Sequence, residues 1–134
     1  MSRGSGAGMA LANNGTQGAK DWARSPGGYL IAWGIPSVIL VAAGLLDPAP
    51  RALVWAGVLV WMGAGCLLNA RRCGRTHCRY TGPYYLAMIV PVALLGAGVL
   101  APGAWAWWVI AGMILLGAKV IWLVTEGLWG KYRP

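Results

Sequence analysis

The sequence is poor in charged residues, and above all in acids. Only 10% of its 134 residues are charged, with eleven Lys or Arg against three Asp or Glu, whereas a soluble domain carries about 25%. A chain that is 58% hydrophobic, with a mean hydropathy of +0.60, lacks the polar surface that a soluble fold needs. The composition therefore excludes an ordinary soluble domain and indicates an integral membrane protein.

The chain also has few of the side chains on which catalysis depends. It contains one histidine and three cysteines. The sequence offers no carboxylate pair, no Ser/His/Asp set and no phosphate-binding glycine loop, and no nucleic-acid-binding pattern accompanies its net charge of +8. We therefore expect neither an enzyme nor a partner of nucleic acid. The odd number of cysteines argues against a closed disulfide framework and leaves free thiols or metal ligands.

Four apolar runs follow a polar N-terminal stretch. Residues 1–27 are rich in Gly, Ser, Ala and Asn without apolar periodicity, so we expect a disordered cytosolic tail. The runs cover residues 29–46, 52–68, 84–101 and 104–124, each close to the roughly 17 to 25 residues that cross a bilayer. Short Pro-containing and Gly-containing breaks join the runs in pairs. We predict an all-α membrane protein whose domain, residues 28–134, has four transmembrane helices arranged as two hairpins.

Lys and Arg near the ends of these runs predict the orientation. Nine such residues lie in the tail, in the loop between the hairpins or at the C-terminal end, and one, Arg51, lies in the first loop. Cytosolic loops carry the excess of basic residues. We therefore expect a multi-pass protein of the cell inner membrane, embedded in the lipid bilayer, with both termini and the middle loop in the cytosol.

The two predicted hairpins resemble each other. A shift of 55 residues without gaps aligns several residues of the first hairpin with identical residues of the second. Among these pairs are Arg24 with Arg79, Gly27 with Gly82, Tyr29 with Tyr84 and Pro36 with Pro91. Two spans separate equivalent positions, so both copies have the same orientation, and we predict a parallel internal repeat. Its prolines are expected to kink spans one and three at matching depth.

The predicted middle loop, residues 69–83, carries the most distinctive chemistry. It holds two of the three cysteines, the only histidine and four arginines. Neighbouring arginines favour the thiolate form of cysteine, which binds soft metals. We expect Cys73, His77 and Cys78 to bind an ion such as mercury or copper, since zinc would need a fourth ligand, for example from a second subunit. Cys66, about two helical turns before Cys73, is a further candidate that could relay the ion.

Simpler interpretations of the same residues stay open. The arginines alone set topology and bind anionic lipid headgroups, in which case the loop cysteines have no role as ligands. Cys66 is then a small apolar residue in helix packing. Pro83 is expected in the first turn of span three. A quinone-coupled thiol oxidoreductase is disfavoured, because the chain has no Cys-x-x-Cys motif and its cysteines are predicted to face a reducing compartment.

The string Cys73-Gly-Arg-x-His77-Cys78-x-x-Thr81-Gly82-Pro83 resembles one found in small, uncharacterised prokaryotic multi-spanning membrane proteins. In size, and in combining cysteines with membrane spans, the chain is also loosely similar to the mercuric-ion transporters of bacterial resistance systems. The second resemblance implies binding or transport of a thiophilic ion. The alternative function is a non-catalytic subunit or assembly factor of a membrane complex, or a homo-oligomer, as the small residues on the spans indicate.

Overall fold

The computed structural model describes residues 19–100, 103–130 and 132. Its main helices are α1 (Pro26–Ala43), α2 (Pro48–Cys73), α3 (Thr76–Ala87), α4 (Ile89–Gly96) and α5 (Trp105–Trp129). No strand occurs in the described ranges, where one isolated antiparallel bridge joins Arg75 to Tyr132. Three helices, α1, α2 and α5, are long and apolar enough to cross a membrane. The all-α membrane class is therefore confirmed at the level of three candidate spans, and the duplicated pair of hairpins stays a prediction.

The starts of α1 and α2 follow from proline in the first turn. Ser25 precedes α1, and its Oγ accepts a hydrogen bond from the Gly28 N–H at 3.0 Å. Pro26 and Pro48 each occupy the first helical position, where the missing N–H would have no helical partner in any case. Because α2 begins four residues before the predicted span, it reaches 26 residues in length.

The third predicted span is divided into two helices. α3 ends at Ala87 and α4 begins at Ile89, and the intervening Met88 donates its N–H to the Tyr84 carbonyl at 3.0 Å. Pro91 has no N–H to continue the helical ladder onto Ala87, which explains a break at this depth. With 12 and 8 residues, neither α3 nor α4 is long enough to cross a bilayer alone.

The first span is distorted at the corresponding place. α1 opens into a π-helical turn over Leu30–Gly34, directly before Pro36. The Ile35 N–H donates to the Leu30 carbonyl across this turn. A wider turn of this kind accommodates a residue that cannot donate to the carbonyl four positions earlier. The distortion therefore lies next to the proline that was expected to kink this span.

The predicted middle loop is almost entirely helical, which corrects the sequence-based expectation. α2 continues to Cys73, α3 begins at Thr76, and only Gly74 and Arg75 connect them. Gly74 ends α2 in the left-handed conformation, with φ of 68°, and donates its N–H to the Ala70 carbonyl at 2.8 Å. Because the next helix starts at once, Pro83 lies inside α3 and not in the first turn of a span.

The end of the predicted disordered tail is also ordered. Residues 1–18 lie outside the described residues, but Asp21 is only 3% exposed. The Trp22 N–H donates to Asn69 Oδ1 on α2 at 2.9 Å. These contacts pack residues 19–25 against the bundle because a carboxylate and a backbone N–H find buried partners there. The prediction of disorder was therefore wrong for this segment.

α2 is the central helix, and it packs against α1, α3 and α4, while α5 packs mainly along α3. Helices α2 and α3 approach most closely at two glycines. A Cβ on Gly82 would lie 3.2 Å from the Gly63 carbonyl oxygen and 2.7 Å from Leu67 Cγ. The turns after α1 and α4 line one groove at one end of the bundle. At the other end, residues 19–25, the α2–α3 turn and the end of α5 come together, and this end holds the candidate site.

Candidate thiol site at the polar end of the bundle

Two cysteines from different helices meet in the interior. Cys66 lies on α2 and Cys78 in the first turn of α3, both side chains are fully buried, and their thiols are hydrogen bonded to each other. Trp33 on α1 donates its indole N–H to Cys66 Sγ at 3.2 Å. Three helices therefore converge on one pair of sulfur atoms.

His77 lies against this pair and is held on both sides. Its Nε2 is 3.3 Å from Cys78 Sγ, and its Nδ1 is 2.7 Å from Glu126 Oε1 on α5. Its ring stacks on Trp122, with 4.4 Å between ring centroids and 16° between planes. Glu126 and Trp122 thus fix the imidazole orientation, which aims one ring nitrogen at the sulfur.

Cys73 is set apart from the other two cysteines. Its thiol donates to the Asn69 carbonyl oxygen, one helical turn earlier in α2, at 3.0 Å. This is a local bond within the helix, and it directs the sulfur toward the backbone. The structure therefore brings together Cys66, His77 and Cys78, while Cys73, predicted as a ligand beside Cys78, has a different partner.

Six side chains around the sulfur pair form a closed ring of hydrogen bonds. In order, they are Cys78, His77, Glu126, Arg75, Asp21 and Asn69, which returns to Cys78. Asn69 Nδ2 is 2.8 Å from Asp21 Oδ1 and 3.5 Å from Cys78 Sγ. The ring ties the N-terminal segment, α2, α3 and α5 to one another.

Arg75 is the positive centre of the ring. Its Nε donates to Glu126 Oε1 at 2.6 Å, its Nη1 pairs with Asp21 Oδ2, and the residue is only 4% exposed. Burial by itself raises the pKa of the Asp21 carboxyl, but hydrogen bonds from Asn69 and Arg75, together with the Arg75 charge, lower that pKa below its ordinary value. Asp21 is therefore a carboxylate at neutral pH, and the ring contains two acids around one guanidinium.

The protonation of Cys78 differs from the sequence-based expectation. Nearby arginines were expected to favour the thiolate, but the hydrogen bond with Cys66 and the burial of the thiol both raise the Cys78 pKa well above its ordinary value. The closest arginine, Arg75, is already paired with two carboxylates. Cys78 is therefore a neutral thiol at neutral pH, and a metal ion must displace its proton to bind.

Within the described ranges, no group of three or more His, Cys, Asp or Glu side chains is arranged to hold a metal ion. What the site offers is a pair of sulfurs with an imidazole beside one of them. No protein-family model, curated protein or solved structure matches this chain.

Sequence reasoning missed the acids of this site. Asp21 was assigned to the tail and Glu126 to the region after the last span, and neither was linked to Arg75. One signal was available, since the whole chain has three acids and an acid near a span end needs a partner. Asn69 stands three residues after Cys66 and four before Cys73, so the helical period alone places it on the same face as both cysteines.

Proposed function

We propose that this protein is an integral inner-membrane protein that binds a soft metal ion between the sulfurs of Cys66 and Cys78. The observation that supports the proposal is the meeting of these two buried thiols from separate helices. Ions such as Cu(I) and Hg(II) are bound well by two thiolates, whereas a structural zinc ion takes four ligands. By the resemblance to mercuric-ion transporters, the ion is cargo and the protein is not an enzyme.

The surroundings of the pair support this choice of ligands. The Trp33 indole and the Asn69 amide both contact sulfur through N–H groups, and such donors stabilise metal-bound thiolates and fix their geometry. His77 is held within reach of the same sulfur and is the candidate third ligand. Cys73, which the sequence favoured, has no place in this set.

The membrane arrangement is part of the proposal. We infer that α3 and α4 together make the fourth crossing and that the ring of six side chains faces the cytosol. The basic residues flanking this end support that orientation. The ion site would then lie just below the cytosolic surface, where Trp33 and Trp122 suit an interfacial depth.

The test is a titration of the purified protein with Hg(II) or Cu(I), in detergent and without a competing thiol, followed by the thiolate-to-metal absorption band. One ion per chain is expected. Cys66→Ser and Cys78→Ser should each abolish stoichiometric binding, because one sulfur remains. Cys73→Ser is the matched control, since it removes an equally buried thiol outside the pair. Loss of binding in Cys73→Ser, with binding retained in Cys66→Ser, would refute this ligand assignment.

A second candidate function, a non-catalytic subunit or assembly factor of a membrane complex, is supported by the outer face of α1 and α2. Small residues, among them Ala32, Ala64 and Gly65, line a shallow groove there. Small residues allow close approach of a further helix. A fixed partner that co-purifies from native membranes, and is lost in Gly65→Leu, would support this function. A homo-oligomer without other chains would contradict it.

A further inference from the structure

A separate cavity of about 120 Å³ lies beside the thiol pair, enclosed by α1, α2, α3 and α5. Aromatic rings form much of its wall, and they belong to Tyr29, Trp33, Tyr85 and Trp122. A protein cavity of about 150 Å³ accepts a benzene molecule, so this one has room for about a single six-membered ring. Neither Cys66 nor Cys78 lines it. The cavity is therefore distinct from the proposed ion site.

Two residues that line the cavity have hydroxyls without a partner. Thr81 is 3% exposed, and its Oγ1 has no hydrogen-bond partner within the described chain. Tyr85, one helical turn later on α3, is also buried, and its hydroxyl makes no hydrogen bond to a described residue. Buried polar groups are nearly always hydrogen bonded. Two unused donors on one face of α3 indicate a ligand that carries oxygen acceptors.

The cavity opens between two of the membrane-spanning helices. Its exposed lining residues are Tyr29 on α1, which is 43% exposed, and Lys119 on α5. The Lys119 ammonium lies 4.3 Å from the centroid of the Trp122 ring, so the cation stands at the rim beside an aromatic wall. Because α1 and α5 are both candidate spans, a molecule dissolved in the bilayer reaches this opening directly.

We propose that this cavity binds the ring of a lipid-soluble quinone. Such a ring is planar, matches the volume, stacks on aromatic walls and carries two carbonyl oxygens that accept hydrogen bonds from Thr81 and Tyr85. It also enters from the bilayer, as the opening between α1 and α5 requires. The inference goes beyond the proposed ion binding and does not depend on it, since no cysteine contributes to the cavity.

The test is a titration of the full chain in detergent with a short-chain ubiquinone analogue, followed by quenching of tryptophan fluorescence. Thr81→Val and Tyr85→Phe are each expected to weaken binding by about threefold to tenfold, the effect of losing one hydrogen bond. Ala118→Leu, which fills the cavity from α5, should abolish saturable quenching. Thr76→Val is the matched control, because Thr76 is equally buried on α3 and its hydroxyl is also unpartnered, but it does not line the cavity.

Four outcomes would overturn the proposal. Quenching that is the same in Ala118→Leu and the unmodified protein means that the quinone only partitions into micelles. Absence of saturable quenching means that the cavity holds water only. An equal loss in Thr76→Val means that α3 has been perturbed as a whole, and tighter binding of benzoate than of the quinone replaces the neutral ring with an anionic one. Quinone binding that survives in Cys66→Ser supports two independent sites, and its survival in a protein that binds no ion refutes the proposed ion binding alone.

Discussion

Replacing Asp21 by alanine tests whether the ring of six side chains holds the polar end of the bundle together. The Asp21 carboxylate pairs with Arg75 and accepts hydrogen bonds from Asn69 Nδ2 at 2.8 Å, from the Ala23 N–H at 2.9 Å and from the Tyr132 hydroxyl at 3.2 Å. Removing one partner of a buried ion pair costs about 3 to 5 kcal/mol, because the other charge is left buried. The variant therefore leaves both a guanidinium and an amide with a lost partner.

We expect a loss near the lower end of that range, about 3 kcal/mol, because Glu126 still neutralises Arg75 at 2.6 Å. The assay is the rate at which a small maleimide labels Cys66 and Cys78 in a Cys73→Ser background, since both sulfurs are inaccessible until this end opens. A loss of 3 kcal/mol in the opening free energy corresponds to roughly a hundredfold faster labelling.

The control for this experiment is Asp47→Ala. Asp47 is an exposed acid in the turn before α2, and its side chain makes no capping hydrogen bond. Its removal should leave the labelling rate unchanged. If Asp21→Ala and Asp47→Ala label at the same rate as the parent protein, the ring does not limit opening, and the reasoning about the buried ion pair is refuted.

Three further predictions follow from individual contacts. Gly82→Ala should lower the free energy of unfolding by about 1 to 3 kcal/mol, since the new methyl group meets Leu67 Cγ at 2.7 Å; an unchanged value in SDS unfolding would contradict the close contact. The pKa of Asp21 lies below its ordinary value of 3.8, so its stabilising contribution is present above that pH and lost as the pH falls below it; an acid titration of stability should show this loss in the parent protein and not in Asp21→Ala. Glu126→Gln should weaken soft-ion binding by about tenfold through misorientation of His77, measured by competition with a chromogenic chelator; unchanged affinity would show that Glu126 does not orient the imidazole.

The helices were predictable because their signals are local. Apolar runs of spanning length require helix in a bilayer, and Pro26, Pro48 and Gly74 have the residue types that begin or end helices. Gly74 in particular follows two arginines and a cysteine, which is a common sequence for a helix end. The loop prediction failed because polar residues were interpreted as solvent exposed, whereas His77 and Cys78 are buried by partners elsewhere in the chain.

The candidate site was only half predictable for the same reason. The sequence placed Cys78 beside His77, and the helical period placed Cys66 on the face of Asn69, but no local pattern joins Cys66 to Cys78 across two helices. The ion pairs of Arg75 link positions 54 and 51 residues apart. Pairings at that separation depend on the packing of α2, α3 and α5 and leave no periodic signal in one sequence.

The ring of six side chains is an expensive way to join helices. Three buried charges lose their hydration, and apolar side chains of similar volume often stabilise a bundle as well or better. What apolar side chains cannot do is fix an imidazole through one nitrogen and aim the other at a sulfur, as Glu126 does for His77 at 2.7 Å. They also cannot place an amide N–H against Cys78, as Asn69 does. The geometry of the ring is therefore better explained by the positioning of the sulfur pair than by stability, and this connects the long-range ion pairs to the proposed binding of a soft ion.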